Sequence, residues 1–118
     1  MALATKIVIA VVALLHFWFL ILEMFLWDKP LGLRTFRQSV EQAATTKVLA
    51  ANQGLYNGFL GAGLLWGLWL GPSGRLIQTF FLACVVIAGV YGAATFSRKI
   101  LYVQAVPAMV ALALVWWV

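Results

Sequence analysis

Residues 7–27 have the sequence IVIAVVALLHFWFLILEMFLW, an apolar run that only His16 and Glu23 interrupt. As an α-helix the run rises by about 31 Å, at about 1.5 Å per residue. This length matches the roughly 30 Å hydrocarbon core of a bilayer, which about 20 mostly apolar residues can cross. The run therefore predicts a transmembrane α-helix near the start of the chain.

Three further apolar runs of similar length follow, at residues 48–70, 76–96 and 100–118. The links between them are short, a GPSG turn and the tripeptide SRK, and short links make neighbouring helices antiparallel. We therefore predict an all-α integral membrane protein, a four-helix up-and-down bundle. Residues 1–118 are expected to form a single transmembrane domain.

The composition supports a membrane protein. Apolar types make up 65% of the 118 residues and charged types 9%, against roughly 45–50% and about 25% in soluble domains. The net charge is +5, but the basic residues lie in the breaks between apolar runs and form no basic face, so nucleic acid is not an expected partner. With one His and one Cys in the chain, we predict no metal site and no cofactor.

The connection between the first two runs, residues 28–47, is the longest one. Its apolar residues recur at helical spacing: Leu33, Phe36, Val40 and Ala44. This pattern predicts a short amphipathic helix lying at the membrane surface, and the alternative is a mobile polar loop. Thr35, followed three residues later by Gln38, resembles a capping box at the start of a helix.

The distribution of positive charge predicts the orientation. The first and third connections share one side of a four-span protein and carry six basic residues: Lys29, Arg34, Arg37, Lys47, Arg98 and Lys99. The other side carries Lys6 and Arg75. Because cytoplasmic loops carry an excess of Lys and Arg, we expect the long connection in the cytoplasm and both chain ends outside, N-out and C-out.

Polar side chains inside the apolar runs are costly in a membrane and indicate contacts or function. Glu23 lies about 6 Å from the end of the first run, and His16 lies about 10 Å further in on nearly the same helix face. The second run opens at the same end with NQGLYNG, and polar groups of the last two runs also lie toward it. We predict a polar pocket near the cytoplasmic leaflet, lined by Glu23, Asn52, Gln53, Tyr56, Asn57, His16, Tyr91 and Gln104.

This predicted pocket has several interpretations. It binds a small or lipid-like ligand, or its side chains only lock the helices together, or they form an interface in a homo-oligomer. As an enzyme, the protein would do acid/base chemistry on a lipid-soluble substrate with Glu23 or His16, although the sequence assigns no catalytic residue. As an accessory or assembly subunit, it would contact another chain of a membrane complex. Membrane lipids are expected partners in each case.

Several segments resemble one bacterial membrane family, the domain of unknown function 1304. They are EMFLW at residues 23–27, NQGLYNG at 52–58, AGVYG at 88–92, and Gln104 with Pro107. The resemblance covers nearly the whole chain, and NQGLYNG is its most specific part. It implies a small, multi-pass, four-helix protein of the bacterial inner (cytoplasmic) membrane, with no established activity or cofactor and no catalytic residues to carry over.

Overall fold

A computed structural model describes residues 1–117 of the chain, and within them all regular structure is helical and there is no strand. The all-α prediction is therefore confirmed. Val118, the last residue of the predicted fourth run, lies outside the described residues.

The helices follow one another with short breaks. In chain order they are α1 (Leu3–Met24), α2 (Pro30–Phe36), α3 (Val40–Leu70), a 3-10 turn (Gly71–Gly74), α4 (Arg75–Thr95), α5 (Arg98–Ile100), a π-helical turn (Leu101–Ala105) and α6 (Val106–Trp117). Three uninterrupted helical stretches are long and apolar enough to cross a membrane: Leu3–Met24, Val40–Thr95 and Arg98–Trp117. The middle stretch holds two of the four predicted spans, because the 3-10 turn joins α3 directly to α4.

The first two helices have different ends from those expected. α1 spans Leu3–Met24 instead of residues 7–27, and α3 begins at Val40, eight residues before the predicted start. The polar residues 40–47 therefore form the first two turns of the helix that was predicted to begin at Val48. α3 is 31 residues long as a result.

A short helix does lie in the first connection, but it is not the one that the apolar spacing predicted. Arg37 adopts a left-handed φ of 52° and ends α2, so the stripe from Leu33 to Ala44 is divided between two helices. The expected capping box at Thr35 is also wrong, since its hydroxyl donates to the carbonyl of Leu31. The structure has its capping box at Ser39 instead.

The start of α3 shows both reciprocal bonds of a capping box. The Gln42 N–H donates to Ser39 Oγ at 3.1 Å, and the Ser39 N–H donates to Gln42 Oε1 at 2.9 Å. These bonds satisfy backbone donors that have no partner inside the first turn of a helix. Ser39 therefore explains why a polar segment begins a long helix at this point.

One compact unit comprises Met1–Leu14 and the described residues from Leu60 onward. Within it α4 runs antiparallel to the end of α3, with Phe81 over Gly63 and Gln78 over Gly67. Between these helices Gly71 adopts a φ of 63°, which glycine reaches without steric cost. The buried apolar core draws on α1, α3, α4 and α6: Ile9, Val12, Ala13, Leu64, Leu82, Val85, Ala108, Ala111 and Val115.

The π-helical turn of this unit packs closely against α4. The N–H of Val106 donates to the carbonyl of Leu101, which is five residues earlier, and Pro107, which has no N–H, follows at once. A Cβ atom on Gly89 would lie 2.7 Å from both Cβ and N of Ala105. The absence of a side chain at Gly89 therefore allows the two backbones to approach.

The other compact unit comprises Leu15–Phe59, which includes the end of α1, all of α2 and the first part of α3. In it Leu20 and Met24 of α1 contact Gly58 and Gly54 of α3 respectively, so the two helices run antiparallel. The residues of the first connection pack at the same end of the hairpin, where the ring of Trp27 lies 4.7 Å from that of Phe36. Six of the eight predicted pocket residues belong to this unit: His16, Glu23, Asn52, Gln53, Tyr56 and Asn57.

Candidate functional site: a buried carboxyl–amide pair

The site centres on Glu23, in the last turn of α1. Its side chain is buried, with 7% of the residue exposed, and Asn57 of α3 is equally buried. Asn57 Nδ2 donates a hydrogen bond of 2.5 Å to Glu23 Oε1. A carboxyl group inside an apolar helix needs such a partner, because an unpaired polar group is costly to bury.

Two glycines of α3 explain how these side chains meet. A Cβ atom on Gly54 would lie 2.8 Å from Met24 Cγ and 3.0 Å from Glu23 Cβ, and one on Gly58 would lie 2.5 Å from Leu20 Cδ1. Larger residues at either position would push the helices apart. Small residues one helical turn apart are a common means of close helix approach in membranes. The segment from Gly54 to Gly58 therefore brings Asn57 within bonding distance of α1.

His16 is the other buried polar residue of this part of α1. It is 1% exposed, and its ring meets that of Phe19 edge-on, with 5.3 Å between the ring centroids. Seven residues separate it from Glu23, which corresponds to about 10 Å along the helix axis. The two side chains thus lie on nearly one face of α1 at different depths, as the sequence predicted.

The other amides and the tyrosine of NQGLYNG do not join the pair. Asn52, Gln53 and Tyr56 are exposed, and the ring of Tyr56 lies 6.0 Å from that of Phe59. The expectation that these three line a pocket together with Glu23 is wrong. Successive residues on a helix are about 100° apart, which places Asn52 and Tyr56 on the side of α3 opposite Gly54.

The two remaining predicted residues belong to the other compact unit. Tyr91 is 70% exposed on α4, and Gln104 is half-buried in the π-helical turn. The structure therefore brings together Glu23 and Asn57, with His16 on the same face of α1. Within either compact unit, the described residues form no polar cluster to which every span contributes.

Gln78, the fourth residue of α4, is fully buried and was not among the residues predicted from the sequence. Gln78 Nε2 donates to the carbonyl of Leu64 at 3.1 Å and the side chain fills the space beside Gly67. The sequence did contain a signal for this residue, because Gln78 is a polar residue inside the apolar run that follows Arg75. This amide links α4 to α3 through Nε2, while its Oε1 atom is buried without a hydrogen-bond partner.

Polar contacts close the end of the hairpin that holds the first connection, about 15 Å along α3 from Asn57. Trp27 Nε1 donates to Thr46 Oγ1 at 3.1 Å, and Lys47 Nζ pairs with Asp28 Oδ2 at 2.8 Å. The hydrogen bond from Lys47 and its positive charge hold the pKa of Asp28 below its ordinary value. This charged contact lies at the exposed surface of the hairpin.

The chemistry open to the buried pair follows from its donors and acceptors. The carboxyl group offers two oxygens, of which the Asn57 bond engages Oε1, and the amide also offers an oxygen acceptor. Such a pair suits a ligand with a hydroxyl or amine group. Among residues 1–117, no group of three or more His, Cys, Asp and Glu side chains is arranged to hold a metal ion.

Fold and site together define a class of small helical protein, one with apolar helices long enough to cross a membrane and a carboxyl–amide pair buried between two of them. The chain belongs to the family described as "Protein of unknown function (DUF1304)", which matches residues 10–116. It is 31% identical over 114 residues to the uncharacterized protein YpaA of Lactococcus lactis subsp. lactis (strain IL1403), covering 95% of this chain and 96% of that protein. No solved structure matches the chain.

Proposed function

We propose that this protein spans the bacterial cytoplasmic membrane as an up-and-down bundle of four helices and binds a small or lipid-like molecule at Glu23 and Asn57. The burial of a bonded carboxyl group in an otherwise apolar helix carries the proposal. A purely apolar pair of residues would pack the two helices without the cost of placing a carboxyl group in a membrane. Binding of a ligand to the carboxyl group would explain why this costly side chain is present.

The proposed orientation places α2 and both ends of the α1–α3 hairpin connection on the cytoplasmic side, with the chain ends outside. The connection carries Lys29, Arg34, Arg37 and Lys47, whereas Lys6 and Arg75 lie toward the other side. Glu23 is then in the half of the bilayer nearer the cytoplasm, since Lys47 of the exposed Asp28–Lys47 pair lies about 15 Å along α3 from Asn57. A molecule that partitions into the membrane would reach the pair from that leaflet.

The proposed ligand carries a hydroxyl or amine group on an apolar body. Its polar group would donate to the carboxyl oxygen that Asn57 does not engage, and its apolar part would lie along the apolar side chains of α1. For a longer molecule, His16 would provide a second polar contact, about 10 Å from Glu23 along the helix axis.

The proposal is tested by native mass spectrometry of the protein purified from bacterial membranes in a mild detergent, with added bacterial polar lipid extract as the probe. We expect the wild-type chain to retain a bound mass that Glu23→Gln loses. Glu41→Gln is the matched control, because Glu41 is exposed in the first turn of α3. Retention of the same mass by Glu23→Gln contradicts the proposal.

A loss of fold must be distinguished from a loss of binding. Helix content and gel-filtration volume of Glu23→Gln should equal those of the wild type, since a glutamine still accepts a bond from Asn57. Asn57→Ala serves as a second variant that leaves the carboxyl group intact. If both variants fold only poorly and the wild type retains no bound mass, the pair is a structural bond between helices and the binding proposal is wrong.

The exposed face of α3 favours a second function, assembly with another chain. Asn52, Gln53 and Tyr56 present hydrogen-bonding groups on the outside of the hairpin, and such side chains associate helices in membranes. A homo-oligomer or a membrane complex would cover them. Cross-linking of a cysteine placed at Leu49, with Asn52→Leu as the disrupting variant, measures this separately from ligand binding.

A further inference from the structure

An apolar groove runs along the surface between α4 and α6, in the compact unit that does not contain Glu23. Its volume is about 540 Å³, within the range of about 300–1,000 Å³ typical of small-molecule sites. Apolar side chains line it: Val86, Met109, Leu112, Ala113, Trp116 and Trp117. A peptide segment placed there would leave its backbone polar groups without partners against this lining, whereas a hydrocarbon chain would not.

Trp116 forms the link between this groove and a positive charge. The Arg75 guanidinium carbon lies 4.2 Å from the centroid of the Trp116 ring, a cation–π distance. Arg75 Nη2 also donates to the carbonyls of Val115 and Trp116, at 3.0 and 3.4 Å, and Trp116 Nε1 donates to Thr79 Oγ1 at 3.0 Å. The arginine and the tryptophan are therefore both held in place at one end of the groove.

Arg75 is also exposed to a second space. A hollow of about 190 Å³ is lined by Met1, Pro72, Arg75 and Val115. The contacts of Arg75 with the backbone carbonyls use Nη2, and a guanidinium group carries further donors on Nε and Nη1. These donors suit a phosphate group, which guanidinium binds well.

We infer that this end of the protein binds a phospholipid with an anionic headgroup. The phosphate lies at Arg75 beside the hollow, one acyl chain lies in the groove, and Trp116 separates the two. A phospholipid carries both chemistries in one molecule, and tryptophan is enriched at the depth where headgroups meet acyl chains. The site shares no residue with the Glu23–Asn57 pair, so neither proposal depends on the ligand of the other.

The test is native mass spectrometry of the delipidated full chain in detergent, titrated with phosphatidylglycerol or phosphatidylcholine of the same acyl chains. We expect wild type to bind the first phosphatidylglycerol about fivefold more tightly, the effect of one arginine near an anionic headgroup. Arg75→Gln should abolish this preference, and Arg75→Lys should keep part of it. Arg34→Gln, at an exposed position of α2, is the matched control and should keep it fully.

Two further measurements separate the parts of the site. Ala113→Trp fills the groove and should weaken binding of both lipids several-fold without changing helix content. This variant tests the groove even if the Arg75 variants fold poorly. Glycerol 3-phosphate alone should bind far more weakly than phosphatidylglycerol. Equal affinity of wild type for the two lipids, a preference kept in Arg75→Gln, unchanged binding in Ala113→Trp, or tight binding of glycerol 3-phosphate would each overturn the inference.

Discussion

The hydrogen bond between Glu23 and Asn57 predicts that the two residues contribute to the free energy of unfolding as a coupled pair. The perturbation is a double-mutant cycle with Glu23→Met, Asn57→Leu and the double variant. Both substitutions keep a side chain of similar size and remove every hydrogen-bonding atom. Each single variant leaves one buried polar group without the partner that it has in the structure.

The expected magnitude follows from the membrane setting proposed for the bond. Hydrogen bonds between transmembrane helices contribute about 0.6 kcal/mol on average and about 1.7 kcal/mol at most in such cycles. The burial of both groups places this bond in the upper part of that range. Asn57→Leu should be the more destabilising single variant, because an unpartnered carboxyl group is more costly to bury than an amide.

The assay is reversible unfolding in bicelles by steric trapping, which gives free energies without harsh denaturant. A control cycle combines Glu41→Met with Asn57→Leu, whose positions lie about 24 Å apart along α3 and should be additive to within about 0.3–0.5 kcal/mol. If the coupling between positions 23 and 57 is no larger than in the control cycle, the bond does not stabilise the protein and the reasoning is refuted.

Three other predictions concern the contacts around the site and in the other unit. Gly89→Ala should destabilise the protein by about 1–3 kcal/mol, because the added methyl group would overlap the backbone of Ala105; the free energy of unfolding measures this. Ser39→Ala should cost about 1 kcal/mol and speed amide hydrogen exchange in the first turn of α3, while unchanged exchange would contradict the cap. Because the pKa of Asp28 is lowered, its contribution to stability is complete above its ordinary pKa of about 4 and is lost as the pH falls through the folded-state value. Lys47→Gln should flatten this acid dependence of the free energy of unfolding. An acid dependence that Lys47→Gln leaves intact would exclude the ion pair as its cause.

Hydropathy located the helices because each break in the apolar runs contains charged or turn-forming residues. It failed at the start of α3, where the segment before Val48 is polar yet helical. The signal for that start was present, since Ser39 and Gln42 have capping-box spacing. The apolar stripe from Leu33 to Ala44 suggested one helix, and spacing alone could not show that Arg37 would turn the chain between two.

Glu23 was predictable because a single carboxylate in an apolar run has few explanations. Its partner was harder to predict, since Asn52, Gln53 and Asn57 offer the same amide group within six residues of one helix. The face that meets α1 is set by Gly54 and Gly58, whose missing side chains decide which amide points inward. In the sequence the polar residues of NQGLYNG form one cluster, whereas their angular positions on α3 separate Asn57 from the rest.

In the membrane arrangement proposed above, the length of α3 limits how the helix can be tilted in the bilayer. Its 31 residues measure about 46 Å. Fitting all of it into a hydrocarbon slab of about 30 Å would need a tilt of about 50°, beyond the 0–40° seen for transmembrane helices. In that arrangement an upright α3 would extend about three turns beyond the slab, and one tilted by about 40° would still extend about one turn. The capping box at Ser39 lies at the polar end of α3, where water would compete for each backbone bond and a firm cap keeps the helix from fraying.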